Sequence, residues 1–148
     1  MPATYCSLHY NAVFSTKDRD PLITTDWRNN LHAYLGGIVN NLGGIPVAIG
    51  GTDDHAHILM GLRATHRLDY VMRDLKSGSS EWVHKTVGKR NFNWQPGYFG
   101  ATVSPSQVAT VTRYIVNQEV HHRHRTFKDE YLEMLKRAGI EYNERYVW

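Results

Sequence analysis

IPVAIGGTDDHAHILMGL (residues 45–62) places two short apolar runs on either side of a tight Thr-Asp-Asp turn, the pattern of a β-hairpin with strands over 45–51 and 55–62. Successive side chains of a strand face opposite ways. Ala56, Ile58, Met60 and Leu62 therefore share one wholly apolar face, which amphipathic elements must cover. His55, His57, Leu59 and Gly61 share the other. Two imidazoles roughly 6–7 Å apart along a strand can lean onto one ion, can work as a pair of bases, or can be a coincidence of strand composition. The pair by itself leaves these readings open and calls for a third ligand.

Working outward from the hairpin, TDWRNNLHAYLGGIVNNLGG (25–44) precedes it. Trp27, Leu31, Tyr34, Leu35, Ile38 and Leu42 fall on one helical face, with Thr25 or Asp26 as cap and Gly43-Gly44 as stop. Before that, TYCSLHYNAVFST (4–16) is rich in β-branched and aromatic residues and reads as a strand, with Cys6 as a small core residue. After the hairpin, Leu68, Val71, Met72, Leu75, Trp82 and Val83 keep helical spacing, although Gly78 sits among them at some cost. RNFNWQPGYFGATVS (90–104) is extended and broken at Pro96-Gly97. Ser104-Pro105-Ser106-Gln107 starts a third helix, expected to run to about residue 123. A fourth begins near Thr126 and stops at Gly139, with Phe127, Tyr131, Leu132 and Leu135 as its apolar face. The order β-α-β-β-α-β followed by two helices predicts an α+β fold: a ferredoxin-like split βαβ antiparallel sheet with additional C-terminal helices.

The chain has 148 residues, 41% hydrophobic and 21% charged. That suits one soluble domain over residues 1–148. No apolar run approaches the ~20 residues of a membrane span, and the N-terminus lacks the features of a secretory signal. A single cysteine permits no internal disulfide, so a cytoplasmic location is expected. The net charge of +3 is compatible with nucleic acid without demonstrating it.

QVATVTRYIVNQEVHHRHR (107–125) carries the other chemistry-bearing residues. At about 100° per residue, Val108, Val111 and Ile115 form an apolar stripe. Gln107, Tyr114, Gln118, His121 and Arg125 form a polar line beside it. A half-buried tyrosine bonded to a glutamine is one reading. The other joins this helix to the histidine strand: His55, His57 and Gln118 as three neutral ligands of a divalent ion that polarises a phosphodiester, with Tyr114 as the attacking phenol. A phosphotyrosine linkage retains the phosphodiester's bond energy, which suits reversible strand transfer.

Taken in order, HYNAVFSTKDRDPLI (9–23), GGTDDHAHILM (50–60), FNWQPGYFGATVS (92–104), YIVNQEVHH (114–122) and TFKDEYLEMLKRAGIEYNERYVW (126–148) resemble the successive segments of the HUH-type single-tyrosine transposases of the insertion-sequence 200/605 family. The resemblance covers nearly the whole chain, with His55-Ala56-His57 as its HUH motif. It implies a DNA transposase that cleaves and rejoins single-stranded DNA through a 5′-phosphotyrosine intermediate, with Tyr114 as nucleophile. His55, His57 and Gln118 would be the metal ligands, braced by Asp54 and His121, and the metal Mg²⁺ or Mn²⁺. Nitrogen donors suit Mn²⁺ better than Mg²⁺. It also implies single-stranded DNA with terminal hairpins as partner, action on the nucleoid of a prokaryotic cell, and a homodimer in which one subunit's tyrosine helix completes the other's histidine site. The break at Pro96-Gly97 and the aromatic-rich ending EYNERYVW (141–148) are compatible with a second copy.

Arg73, Lys76, Lys85 and Arg90 are candidates for phosphate contacts, or a solvated face. Trp94 and Tyr98 could stack on bases or pack within the protein. Two alternatives accompany the transposase reading: a host-domesticated relative that processes palindromes, and a non-catalytic single-stranded nucleic-acid-binding module. The second would favour aromatic residues on the sheet face that here carries histidines.

Overall fold

A computed structural model describes residues 3–118, 120 and 126–143. Its strands are β1 (Leu8–Ser15), β2 (Ile45–Gly51), β3 (His55–Leu62) and β4 (Phe99–Val103). They lie side by side in the order β2–β3–β1–β4, antiparallel at every junction. Among the described residues, four longer helices accompany them: α1 (Thr25–Asn41), α2 (Leu68–Trp82), α3 (Val108–Val116) and α4 (Phe127–Arg137). This is the split βαβ arrangement that the sequence predicts.

The alternation read in β3 divides the molecule into two layers. Ala56, Ile58 and Met60, with Ala12 and Phe14 of β1, bury the face covered by α1 and α2 through Trp27, Leu31, Leu35, Met72 and Leu75. Gly78 has its reason here: a Cβ at that position would lie 3.1 Å from Ile38 Cδ1 of α1. The opposite face is shared between the last two helices. α3 sets Val108, Val111 and Ile115 on Ala48 and Leu59. α4 sets Phe127, Tyr131 and Leu135 on Val13 and Phe99. A buried side chain of this kind contributes about 1.5–3 kcal/mol. α4 buries two such side chains, Phe127 and Leu135, against the four that α1 buries, so it is the more lightly anchored. Thr126 Oγ1 compensates in part by capping α4, accepting from Asp129 N–H at 3.2 Å.

Three expectations need correction. β1 starts at Leu8 rather than Thr4, because Leu8 already faces Leu62, the last residue of β3, and nothing remains for earlier residues to pair with. Cys6 is consequently an exposed thiol and no part of the core. The third helix does not run unbroken to residue 123. Pro105–Gln107 form a 3₁₀ turn, α3 ends at Val116, and Asn117 leaves helical geometry (φ −104°, ψ 25°). Residues 121–125 lie outside the described residues. Of the two readings open for Trp94, packing within the protein is the one observed. An isolated bridge to Thr16 carries it over the core, where it meets Phe14 and Phe92 edge to face at 4.6 and 4.8 Å and donates from Nε1 to Ser79 Oγ at 2.9 Å. Among the described residues, no helix is long and apolar enough to cross a membrane.

Candidate active site

The two histidines begin β3 and are completely buried between α3 and α4. His57 lies across from Val13 on β1 and Gly50 on β2, and His55 across from Ser15. Their rings are 5.2 Å apart and nearly perpendicular. Phe127 of α4 stacks on His55 with centroids 4.1 Å apart.

Each imidazole has polar company. Asp54 Oδ1 lies 2.7 Å from His55 Nδ1. A carboxylate only accepts, so Nδ1 carries a proton there, and Nε2 becomes the ring's outward ligand atom. Gln118 Oε1 faces that Nε2 at 3.0 Å, while Gln118 Nε2 donates to the Tyr114 carbonyl at 3.2 Å. The Gln118 amide thus braces the turn after Tyr114, while its oxygen and His55 Nε2, both lone-pair donors, converge as two ligands of one ion would. His57 Nε2 faces a group that the sequence reading does not include, the buried carboxylate of Glu130 on α4, at 3.1 Å. A signal for it exists. Glu130 falls one turn after Phe127 and just before Tyr131, so an acid sits inside the helix's apolar stripe.

Tyr114 reaches this centre because Gly50 has no side chain. A Cβ on Gly50 would stand 2.1 Å from the Ile115 carbonyl oxygen and 3.0 Å from Ile115 Cγ2. The α3 backbone therefore rests directly on β2 beside His57. The half-buried Tyr114 ring sits with its centroid 6.0 Å from that of His57. Gly50→Ala should force α3 off the sheet at a cost of about 3 kcal/mol. Denaturant unfolding reads this as a lower midpoint at unchanged slope; an unmoved midpoint would mean that α3 yields without cost.

The donor set fits a divalent ion. Ligand atoms of His55, His57 and Glu130 all lie within 4.8 Å of one another. Atoms bound to one first-row ion at about 2.1 Å are separated by roughly 3–4 Å, so small rotamer movements close the set. Two imidazoles, a carboxylate and an amide oxygen supply the mixed nitrogen and oxygen donors that suit Mn²⁺ and similar ions. Of the candidate braces, Asp54 contacts His55, whereas His121 lies outside the described residues. The basic candidates are not gathered at this centre. Arg73, Lys76 and Lys85 belong to or follow α2, which covers the other sheet face, and Arg90 follows them in the chain. Arg73 pairs with Asp74 and Lys85 with Glu81, and Lys76 donates to the Gln95 and Gly97 carbonyls at 2.6 and 2.8 Å.

Tyr114 and Glu130 line one cleft of about 660 Å³ between α3 and α4, walled by β4. No curated protein matches this chain. Among solved structures, it resembles a protein of Deinococcus radiodurans R1 described as a transposase. That alignment has 25% identity and a TM-score of 0.64, over 80% of this chain and 95% of the other. A REP-associated tyrosine transposase bound to a REP hairpin shares the fold, with a TM-score of 0.60 over 82% of this chain and 73% of the other, at 17% identity. A family profile described as "Transposase IS200 like" matches residues 4–118, which include both histidines, Tyr114 and Gln118, and by that match the chain belongs to the IS200-like transposases.

Proposed function

We propose that the protein cleaves and rejoins single-stranded DNA at the ends of an insertion sequence, with Tyr114 as nucleophile. The observation that carries this reading is the placement of the Tyr114 ring beside His57, in a cleft that Glu130 shares. A divalent ion, when bound by His55, His57, Gln118 and Glu130, polarises the scissile phosphate and screens its charge. The chain's own groups do the rest. Asp54 holds His55 in the tautomer that presents Nε2. Gln118 fixes the last turn of α3 and with it the Tyr114 backbone. The Tyr114 oxygen attacks phosphorus, the bond from phosphorus to the 3′ oxygen breaks, and the phenolic proton is lost as the 3′ oxygen gains one. The product is a 5′-phosphotyrosine and a free 3′ hydroxyl, and the reverse attack rejoins the strand.

The substrate proposed is single-stranded DNA with a hairpin beside an unpaired flank. The REP hairpin held by the structural neighbour supports it through the shared fold. Processing of dispersed palindromes by the same chemistry is the second reading, favoured by that neighbour. The test incubates the chain with labelled single-stranded hairpin oligonucleotides and Mn²⁺, and looks for a covalent adduct that survives denaturation. A chain that binds these strands but never forms an adduct is a binding module.

A homodimer is the proposed assembly. Within one chain Tyr114 already faces His57, so each subunit can hold a complete site. An exchanged α3 would make the same contacts around Gly50 from the partner, and Val116, 61% exposed, offers an apolar surface nearby. Complementation separates the two arrangements. A mixture of His57→Ala and Tyr114→Phe proteins regains cleavage if sites form across the dimer, because one site of each mixed pair then carries neither defect. If heterodimers form and stay inactive, each site is built within one chain.

A further inference from the structure

Phe127, the ring that stacks on His55, also lines a second cavity, of about 330 Å³, between α4 and the loop before β4. Tyr98, Tyr131 and Tyr142 add aromatic wall, and Gln95 and Asn143 add side-chain amides. None of the described residues lining it is charged. That composition does not suit a phosphate, which calls for cations or converging N–H groups, nor a metal ion. It suits a flat neutral group with a π face and a donor–acceptor edge.

The walls are held in place. Gln95 N–H donates to the Ser15 carbonyl at 2.8 Å, and Lys76 clamps the Gln95 and Gly97 carbonyls from α2. Gly97 turns the loop through a left-handed conformation (φ +87°) that a side chain would strain. Gln95 Oε1 accepts from Asp18 N–H at 3.1 Å, which orients its amide and leaves the NH₂ group to donate. Tyr98 is 38% exposed at the surface.

We infer that this cavity receives one unpaired nucleobase of the DNA strand whose phosphate lies at Tyr114, with the base against Tyr98 and its edge toward Gln95. The cavity sits at the low end of the roughly 300–1,000 Å³ range of small-molecule pockets, with room for one base. The single side chain of Phe127 links it to His55, so a base lodged there fixes the strand's position relative to the nucleophile. The inference rests on the strand-cleavage reading above for its ligand.

The test uses the full chain as Tyr114→Phe, so that no strand is cut. A mixed-sequence single-stranded octanucleotide is compared with an octamer of the same backbone lacking all bases. The base-containing strand is expected to bind at least about tenfold more tightly, one stacked base alone being able to supply that factor. Tyr98→Ala should lower this ratio about five- to tenfold while leaving the abasic affinity unchanged, and Gln95→Ala should lower it less. A ratio unmoved by both substitutions overturns the proposal. So does an equal loss of affinity for the abasic strand, which would make the cavity wall a backbone contact. Adduct formation by the unsubstituted chain is scored in parallel. Adducts with an unmoved ratio sink the base pocket and leave cleavage standing, whereas a ratio that responds to Tyr98 without any adduct does the reverse.

Discussion

Tyr114→Phe protein is expected to fold, to bind single-stranded hairpin DNA as the unsubstituted protein does, and to form no covalent adduct. The substitution removes one oxygen and keeps the ring that faces His57. The side chain is only half buried and lines an open cleft, so loss of the hydroxyl should change stability by less than about 1 kcal/mol. The chemical effect is of another order. Removing the attacking atom of a covalent mechanism costs about 10⁴-fold or more in rate, because orientation and charge stabilisation do not substitute for a missing bond. A denaturing gel with end-labelled DNA and Mn²⁺ reads the outcome directly. Adduct formation at an undiminished rate would remove Tyr114 from the mechanism.

His57→Ala is expected to abolish cleavage by a different route, and to leave a mark on stability that Tyr114→Phe does not. His57 and Glu130 face each other at 3.1 Å, both buried. Removing one member of a buried ionisable pair costs about 3 kcal/mol, because the remaining carboxylate loses a partner in a poorly polarisable setting. The alanine should therefore lower the unfolding midpoint. Adding Glu130→Gln in the same chain should recover part of the loss, since a neutral amide tolerates burial better. Activity should not return, because two of the proposed ligands are then gone. Calorimetric titration with Mn²⁺ supplies the independent readout: heat of binding in the unsubstituted protein, none in His57→Ala. Equal Mn²⁺ affinity in the two proteins would take His57 out of the ion's shell.

Much of this arrangement was open to reading because short-range rules govern it. Alternation in HAHILMGL assigned His55 and His57 to one face and Ile58 and Met60 to the other, and the hydrogen-bonded sheet keeps that division. The stripe of Val108, Val111 and Ile115 docks as its spacing requires. What escaped depends on partners far away in the chain. The start of β1 is set by where β3 ends, not by the strand propensity of Tyr5 and Cys6. The end of α3 is set by the break at Asn117, just before Gln118, whose side chain points inward to His55. Glu130 stands out in the apolar stripe of α4, but its partner is legible only once the imidazole opposite it is known. Lys76 resembled a phosphate ligand, and its ammonium is spent on two backbone carbonyls.

The histidines arrive with β3, Tyr114 with α3, Gln118 just after it, and Glu130 with the last helix described. During synthesis these pieces leave the ribosome in that order, at about 5–20 residues per second, and the carboxylate comes last. A nascent chain with its hairpin and tyrosine helix already exposed still lacks the charge opposite His57. The proposed cleavage should therefore appear only once α4 has docked, and a chain truncated before residue 127 should form no adduct with single-stranded hairpin DNA.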